Sequence, residues 1–263
     1  MYTNLFLHMH RPLRQVEQNF GKNGSFKEVI FIYTWLSEIL QKEYEVIRLM
    51  KESSRGSIRL IRHKASGRKF VLRRFLGNAG VYRKLLNFSC ENLPRIYEVA
   101  EKNGENLVLE EFIEGDTLGF LLQDTLFTEK ETRQIVMQVC RALWSIHSLG
   151  AVHRDVKPEN IILRGSDAIL IDFDAARIHN AENDGDTQIL GTAGFAAPEQ
   201  YGISQSDIRT DIYALGIVIN IMLTGRHPSK KLAKGHLGRI VSRCTHVNPH
   251  KRYRDVLHLM RVL

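Results

Sequence analysis

A chain of 263 residues, 43% apolar and 25% charged, can bury a full hydrophobic core, which excludes a disordered tail or a small disulfide-stapled scaffold. Its formal charge of +8 comes from lysines and arginines scattered along the sequence, so nothing points to nucleic acid as a partner. Three cysteines, Cys90, Cys140 and Cys244, stand far apart with no C-x-x-C pair, which fits reduced thiols in a cytoplasmic compartment.

The first apolar run, Leu5 to Leu7, has no basic residue before it, and a signal peptide is not expected. The most apolar window, Val29 to Leu36, is too short to span a bilayer. His8 and His10 lack further ligands nearby and read as surface residues. From Ser25 onward, Phe26, Val29/Ile30, Tyr33, Leu36 and Leu40 follow helical spacing, with Ser25 as N-cap and Glu28 closing a capping box. That apolar stripe docks either on the rest of the chain or on a partner copy; the sequence leaves both open.

At Tyr44 the pattern changes to strands. YEVIRLM, SIRLIRH and RKFVLRRF are joined by turns at Ser53 to Gly56 and Ala65 to Gly67. VYRKLLNF makes a short helix, and LPRIYEVAEK pairs with ENLVLEEFIEG in a hairpin turning at Asn103-Gly104. Thr128 with Glu131 opens a long helix to His147, closed by Gly150, with Ile135, Val139, Ala142, Leu143 and Ile146 on its apolar face. This helix leads directly into HRDVKPEN, His153 to Asn160, which Pro158 and its polar neighbours mark as a loop. NIILR and AILIDF then form a strand pair around Gly165-Ser166-Asp167, and TDIYALGIVINIML reads as a buried helix.

A carboxylate, an ammonium and a carboxamide on one rigid loop suit phosphoryl transfer to a hydroxyl. HRDVKPEN followed by IDFD, Ile171 to Asp174, resembles the protein kinase family, in its serine/threonine branch, where a lysine stands two places after the aspartate. GTAGFAAPEQ, with its A-P-E ending, and Asp211, Tyr213 and Gly216 in D-x-Y-x-x-G strengthen the resemblance. It covers Tyr44 to Leu263.

The resemblance implies an α+β, two-lobed fold: an extension over 1–42, then a kinase domain over 43–263, with a small lobe over 43–113 and a large lobe over 114–263. It implies ATP and Mg²⁺ as cofactors and a protein with a Ser or Thr hydroxyl as substrate. By the same analogy Asp155 orients the hydroxyl and accepts its proton, Lys157 neutralises the transferred phosphoryl, and Asn160 and Asp172 hold the metal. Ile58, Val71 and Ile162 enclose adenine; Glu111 to Ile113 present backbone groups to it after Glu110 in the gatekeeper position; Arg73 takes the place of the phosphate-binding lysine. Asp211 scaffolds the loop, Glu199 pairs with Arg252, Thr192 stands near Asp155, and Thr187 is a candidate phosphosite facing Arg154, with Asp184 and Asp186 as competing partners for that arginine.

Four departures accompany it. The glycine-rich flap aligns on Lys51, Ser53 and Gly56, where only the third is glycine, with Lys51 and Arg55 adding charge. Arg73 replaces lysine. No acidic residue lies from Arg74 to Cys90, so the lysine's glutamate partner is missing. Asp174 replaces the glycine of D-F-G, restricting that segment. An active serine/threonine kinase is the expected function, and a pseudokinase acting as a nucleotide-binding or scaffolding module is the alternative. A small-molecule phosphotransferase of the aminoglycoside-kinase type is disfavoured by GTAGFAAPEQ.

Overall fold

The structure is a computed structural model that describes residues 26–54, 56–178, 192–201 and 206–263, with the backbone alone over 26–32. His8, His10, Ser25, Arg55, Asp184, Asp186 and Thr187, and with Ser25 the first capping box, lie outside the described residues. The chain divides into two compact units, one comprising residues up to Gly77 with Val99–Val108, the other Asn78–Glu98 with Leu109–Leu263.

The first unit is built on helix α1 (Phe26–Glu43), strands β1 (Tyr44–Ser53), β2 (Gly56–His63) and β3 (Lys69–Leu76), and the hairpin-side parts of β4 (Ile96–Lys102) and β5 (Glu105–Glu111), with the sheet order β1-β2-β3-β5-β4. The described part of the stripe on α1 is used within the chain: Tyr33 and Leu36 are buried against Ala100 and Leu107, with Leu40 and Leu72 alongside. Burying a side chain such as Leu36 contributes roughly 1.5–3 kcal/mol. The Tyr33 phenol donates to the Glu105 carboxylate and accepts from Arg74 Nη2 at 3.2 Å. Burial, then the bond to Glu105, raises the Tyr33 pKa.

Tyr44 turns the chain from helix into sheet, its ring edge-on to His63 (5.0 Å) and Phe70 (5.7 Å). Burial pushes its phenol up to about 12. The β1–β2 hairpin closes on the pair Ser53 and Gly56. A Cβ on Gly56 would fall 2.0 Å from the Arg74 carbonyl oxygen, so this glycine is required by the neighbouring strand whatever the loop does. Asn103 and Gly104 have φ of 54° and 80°, the two left-handed residues that a two-residue hairpin turn needs.

The second unit contains α2 (Gly80–Leu85), β6 (Asp116–Thr117), α3 (Leu118–Leu121), α4 (Glu129–Ser148), β7 (Ala151–Val152), β8 (Ile161–Arg164), β9 (Asp167–Leu170), β10 (Arg177–Ile178), α5 (Ile208–Thr224), α6 (Gly235–Cys244) and α7 (Val256–Met260). The capping box of α4 is complete: Thr128 Oγ1 accepts from Glu131 N, and Glu131 Oε2 accepts from Thr128 N at 2.8 Å. Val136, Val139, Cys140, Leu143 and Ile146 on α4 are fully buried, as are Leu215, Val218 and Ile219 on α5. Gly216 lets α6 approach α5, since a Cβ there would meet the Cys244 Cβ at 2.4 Å. The short connection after α5 is held by buried Asn220, which donates to the carbonyls of Arg226 and Lys231 and accepts from Ala233 N. The expected α+β class is the one observed.

Candidate active site

The loop after β7 is fixed by its backbone. Asp211, in the first turn of α5, accepts from His153 N at 2.9 Å and Arg154 N at 2.7 Å, and His147 Nε2 lies 2.8 Å from its second oxygen. Burial alone would raise the Asp211 pKa; the hydrogen bond and charge of His147, together with His153, hold it below the usual carboxylate range. Gln200 Nε2 donates to the Arg154 carbonyl at 2.9 Å, gripping the loop from a second element. These bonds sustain Arg154 at φ 68°, a left-handed conformation that costs a non-glycine residue roughly 1 kcal/mol or more. His153 Nδ1 accepts from Asp155 N, so the proton of its ring sits on Nε2 and is donated to the Ile171 carbonyl.

On this frame Asp155, Lys157 and Asn160 converge. Lys157 Nζ lies 2.7 Å from Asp155 Oδ2 and donates to Thr192 Oγ1 at 2.7 Å; Thr192 in turn donates to Asp155 Oδ1 at 2.7 Å. Asn160 Nδ2 donates to Asp155 Oδ2 at 2.9 Å and to its backbone carbonyl at 2.8 Å. Asp155 is therefore an acceptor-only carboxylate fed by an ammonium, an amide and a hydroxyl, with 14% of its side chain exposed. A threonine hydroxyl already rests on one of its oxygens.

Asp172 follows β9 at φ 69°, and the segment is tied back to the loop because Ile171 N donates to the Asn160 carbonyl at 2.9 Å. With both amide hydrogens of Asn160 occupied by Asp155, its Oδ1 is the end left for a cation. Among the described residues no group of three or more His, Cys, Asp or Glu could hold a metal by itself. Two oxygen donors, Asn160 Oδ1 and the Asp172 carboxylate, fit Mg²⁺, which completes its shell from substrate phosphates and water. Asp174, beyond Phe173, accepts a hydrogen bond from the Tyr82 hydroxyl at 2.8 Å.

The expected nucleotide-contacting residues fall in both units. In the first, Ile58 stands directly opposite Arg73 in the β2–β3 register, and Val71, two residues earlier, shares the face of Arg73. Arg73 is buried, whereas Arg74 reaches Tyr33 and Glu105 on the other face. In the second, Ile162 pairs with Thr117 and Ile169, and Ile113 is buried. The N–H of Glu111 donates to the Arg95 carbonyl at 2.8 Å, and its carboxylate accepts from Arg95 N and pairs with Arg164 at 3.0 Å.

Glu199 and Arg252 form a bidentate pair at 2.6 and 2.9 Å, and Thr210 Oγ1 also donates to Glu199. Sequence reading did not single out His147, Gln200 or the Tyr82 hydroxyl. His147 offered a signal, a histidine in the last turn of the helix that feeds the loop; the other two are visible only in three dimensions.

Comparison with known proteins decides the family: the Protein kinase domain matches residues 54–255. The chain is a member of the protein kinase family. Among its relatives, the serine/threonine-protein kinase PknA of Nostoc sp. is 32% identical over 182 residues, covering 66% of this chain and 32% of its own. The serine/threonine-protein kinase PknD of Mycobacterium tuberculosis is 33% identical over 202 residues, covering 70% and 30%. A probable serine/threonine-protein kinase, PknB of Corynebacterium glutamicum, is 36% identical over 149 residues, covering 53% and 23%. The chain thus spans about a third or less of the length of these relatives. Asp155, Lys157, Asn160 and Asp172 all lie within the matched range.

Proposed function

We propose that the chain is an ATP-dependent protein serine/threonine kinase, with 43–263 as the kinase domain and 1–42 as an extension. The observation that carries this reading is the Asp155–Lys157–Thr192–Asn160 cluster, in which a carboxylate already accepts a hydroxyl of the substrate's own kind. Asp155 orients the substrate Ser or Thr hydroxyl and takes its proton as the new O–P bond forms and the bond to the β-phosphate oxygen breaks. Lys157 neutralises the transferred phosphoryl group, and Thr192 keeps the lysine and the carboxylate together. Asn160 and Asp172 would hold Mg²⁺, whose charge screens the β- and γ-phosphates. By the family analogy we assign Ile58, Val71 and Arg73 of the first unit, and Glu111, Ile113 and Ile162 of the second, to the nucleotide, with Arg73 serving the phosphates as a fork.

The relatives' names favour a serine/threonine kinase over a pseudokinase. Cys90, Cys140 and Cys244 are free thiols, which fits our placement of the domain in the cytoplasm; no helix among the described residues is long and apolar enough to cross a membrane. We assign Tyr33, Leu36 and Leu40 on α1 to packing on its own sheet; self-association through this helix would have to use residues other than these.

Calorimetry tests the site. Wild type is expected to bind ATP with Mg²⁺ and to lose most affinity without it, and Asp172→Asn to lose the Mg²⁺ dependence. Equal affinity with and without Mg²⁺ in wild type would overturn the reading.

A further inference from the structure

Two departures from the family pattern, the missing acid on the helix after β3 and the aspartate after Phe173, meet in one hydrogen bond. Helix α2 has only six residues, too few to persist without tertiary support. Its support comes from the start of the stretch Asp172 to Glu199, which by the family resemblance is the activation segment. Tyr82, 1% exposed, lays its ring edge-on to Phe173 at 5.7 Å and donates its hydroxyl to Asp174 Oδ1 at 2.8 Å. Phe173 is backed in turn by His153 at 5.6 Å.

The N-terminus of α2 is pinned to the same segment. Gly80 N donates to Asn78 Oδ1 at 2.6 Å, and a Cβ on Gly80 would lie 2.9 Å from the Ile178 side chain on β10. Lys84, near its other end, donates to the Leu149 carbonyl at 2.6 Å. Every one of these partners belongs to the second unit, as α2 itself does. Asp172, immediately before Phe173, holds φ 69°, and the Asp174 N–H lies 3.4 Å from its Oδ1. A left-handed aspartate persists only where its neighbours fix it.

We propose that Tyr82 and Asp174 are a positioning pair standing in for the absent helix carboxylate: they fasten α2 to the activation segment and hold Asp172 in its metal-binding conformation. In the usual arrangement a glutamate on the helix reaches a lysine on β3, and movement of the helix switches the site. Here the acid has moved to the segment and the helix supplies a phenol. The helix is thereby set by the segment rather than free to switch it. The role given to Asp172 rests on the kinase reading; the attachment of α2 does not.

The test compares wild type with Tyr82→Phe, Asp174→Gly, the double variant, and Asp174→Asn, which keeps an acceptor oxygen. Each of the first two is expected to raise KM for Mg·ATP about fivefold with kcat within about twofold, the double variant to be no worse than either, and Asp174→Asn to recover much of the loss. Amide exchange over residues 80–86 is expected to quicken in both single variants, a readout that needs no turnover. Additive losses in the double variant, or exchange unchanged in Tyr82→Phe and Asp174→Gly, would overturn the pair. If wild type transfers no phosphate, the kinase reading fails while the exchange comparison still decides whether Asp174 holds α2.

Discussion

Arg252 and Glu199 meet through two parallel N–H···O bonds of 2.6 and 2.9 Å, with side-chain exposures of 0% and 4%. Residues 53 positions apart thus staple the end of the activation segment to the stretch after α6. Removing one member leaves the other charge buried alone, which is costlier than removing both. Arg252→Ala should destabilise the second unit by about 3–5 kcal/mol. Replacing the pair together, Glu199→Leu with Arg252→Met, should cost less than either single change. Thermal unfolding of the three variants checks the order.

Acid stability follows from the same carboxylate and from Asp211. Burial opposes ionisation of Glu199, yet its bonds to Arg252 hold its carboxyl below the ordinary range, as His147 does for Asp211. Carboxyls with lower folded than unfolded pKa values contribute stability above their unfolded values of about 4, and that contribution is lost as the pH falls through the folded values. Stability should therefore be flat with respect to these two groups above about pH 5 and fall below about pH 4. Asp211→Asn should flatten part of that acid limb in denaturant titrations run across pH.

The same substitution tests the loop. Asparagine keeps one acceptor oxygen but turns an amide N–H₂ toward the donors on His153 and Arg154, leaving at least one N–H unmet. A destabilisation of about 2–4 kcal/mol is expected. Phosphotransfer should fall further than stability explains, because the backbone that aims Asp155 is loosened.

Helix α1 should be an integral layer of the first unit. Leu36→Ala is expected to cost about 2–4 kcal/mol and Tyr33→Phe about 1 kcal/mol. Faster amide exchange over 33–43 in both variants would follow; unchanged exchange in Leu36→Ala would contradict the packing.

Arg73→Lys returns the family residue to β3. Activity equal to wild type or up to about tenfold higher is expected, since lysine fits the family position without the adjustment that arginine's longer, planar head requires there. A collapse measured in steady-state kinetics would mean that this face of the sheet has been rebuilt around a guanidinium.

What the sequence made legible was local. The Thr128–Glu131 capping box, the Asn103-Gly104 turn and the order HRDVKPEN then IDFD each depend on residues a few positions apart, where chemistry and spacing fix conformation. The retained Gly56 was also visible, although its reason, the Arg74 carbonyl, was not. What stayed hidden depends on distant partners: Tyr82 and Asp174 are 92 positions apart, Tyr33 and Glu105 72. No periodicity encodes such meetings. The stripe on α1 announced a buried face but could not name what covers it, because apolar contact is not directional.

The central claim is that Asp155 directs a hydroxyl at the γ-phosphate, and Asp155→Asn measures it most directly. Asparagine keeps the size and the contact to Asn160 but is a far poorer proton acceptor. Followed with γ-labelled Mg·ATP and a Ser/Thr peptide mixture, the variant should bind nucleotide within about twofold of wild type while transfer falls by 10²-fold or more, on the order expected for losing a general base. Transfer retained at the wild-type rate, or absent from both proteins despite Mg²⁺-dependent ATP binding, would contradict the account.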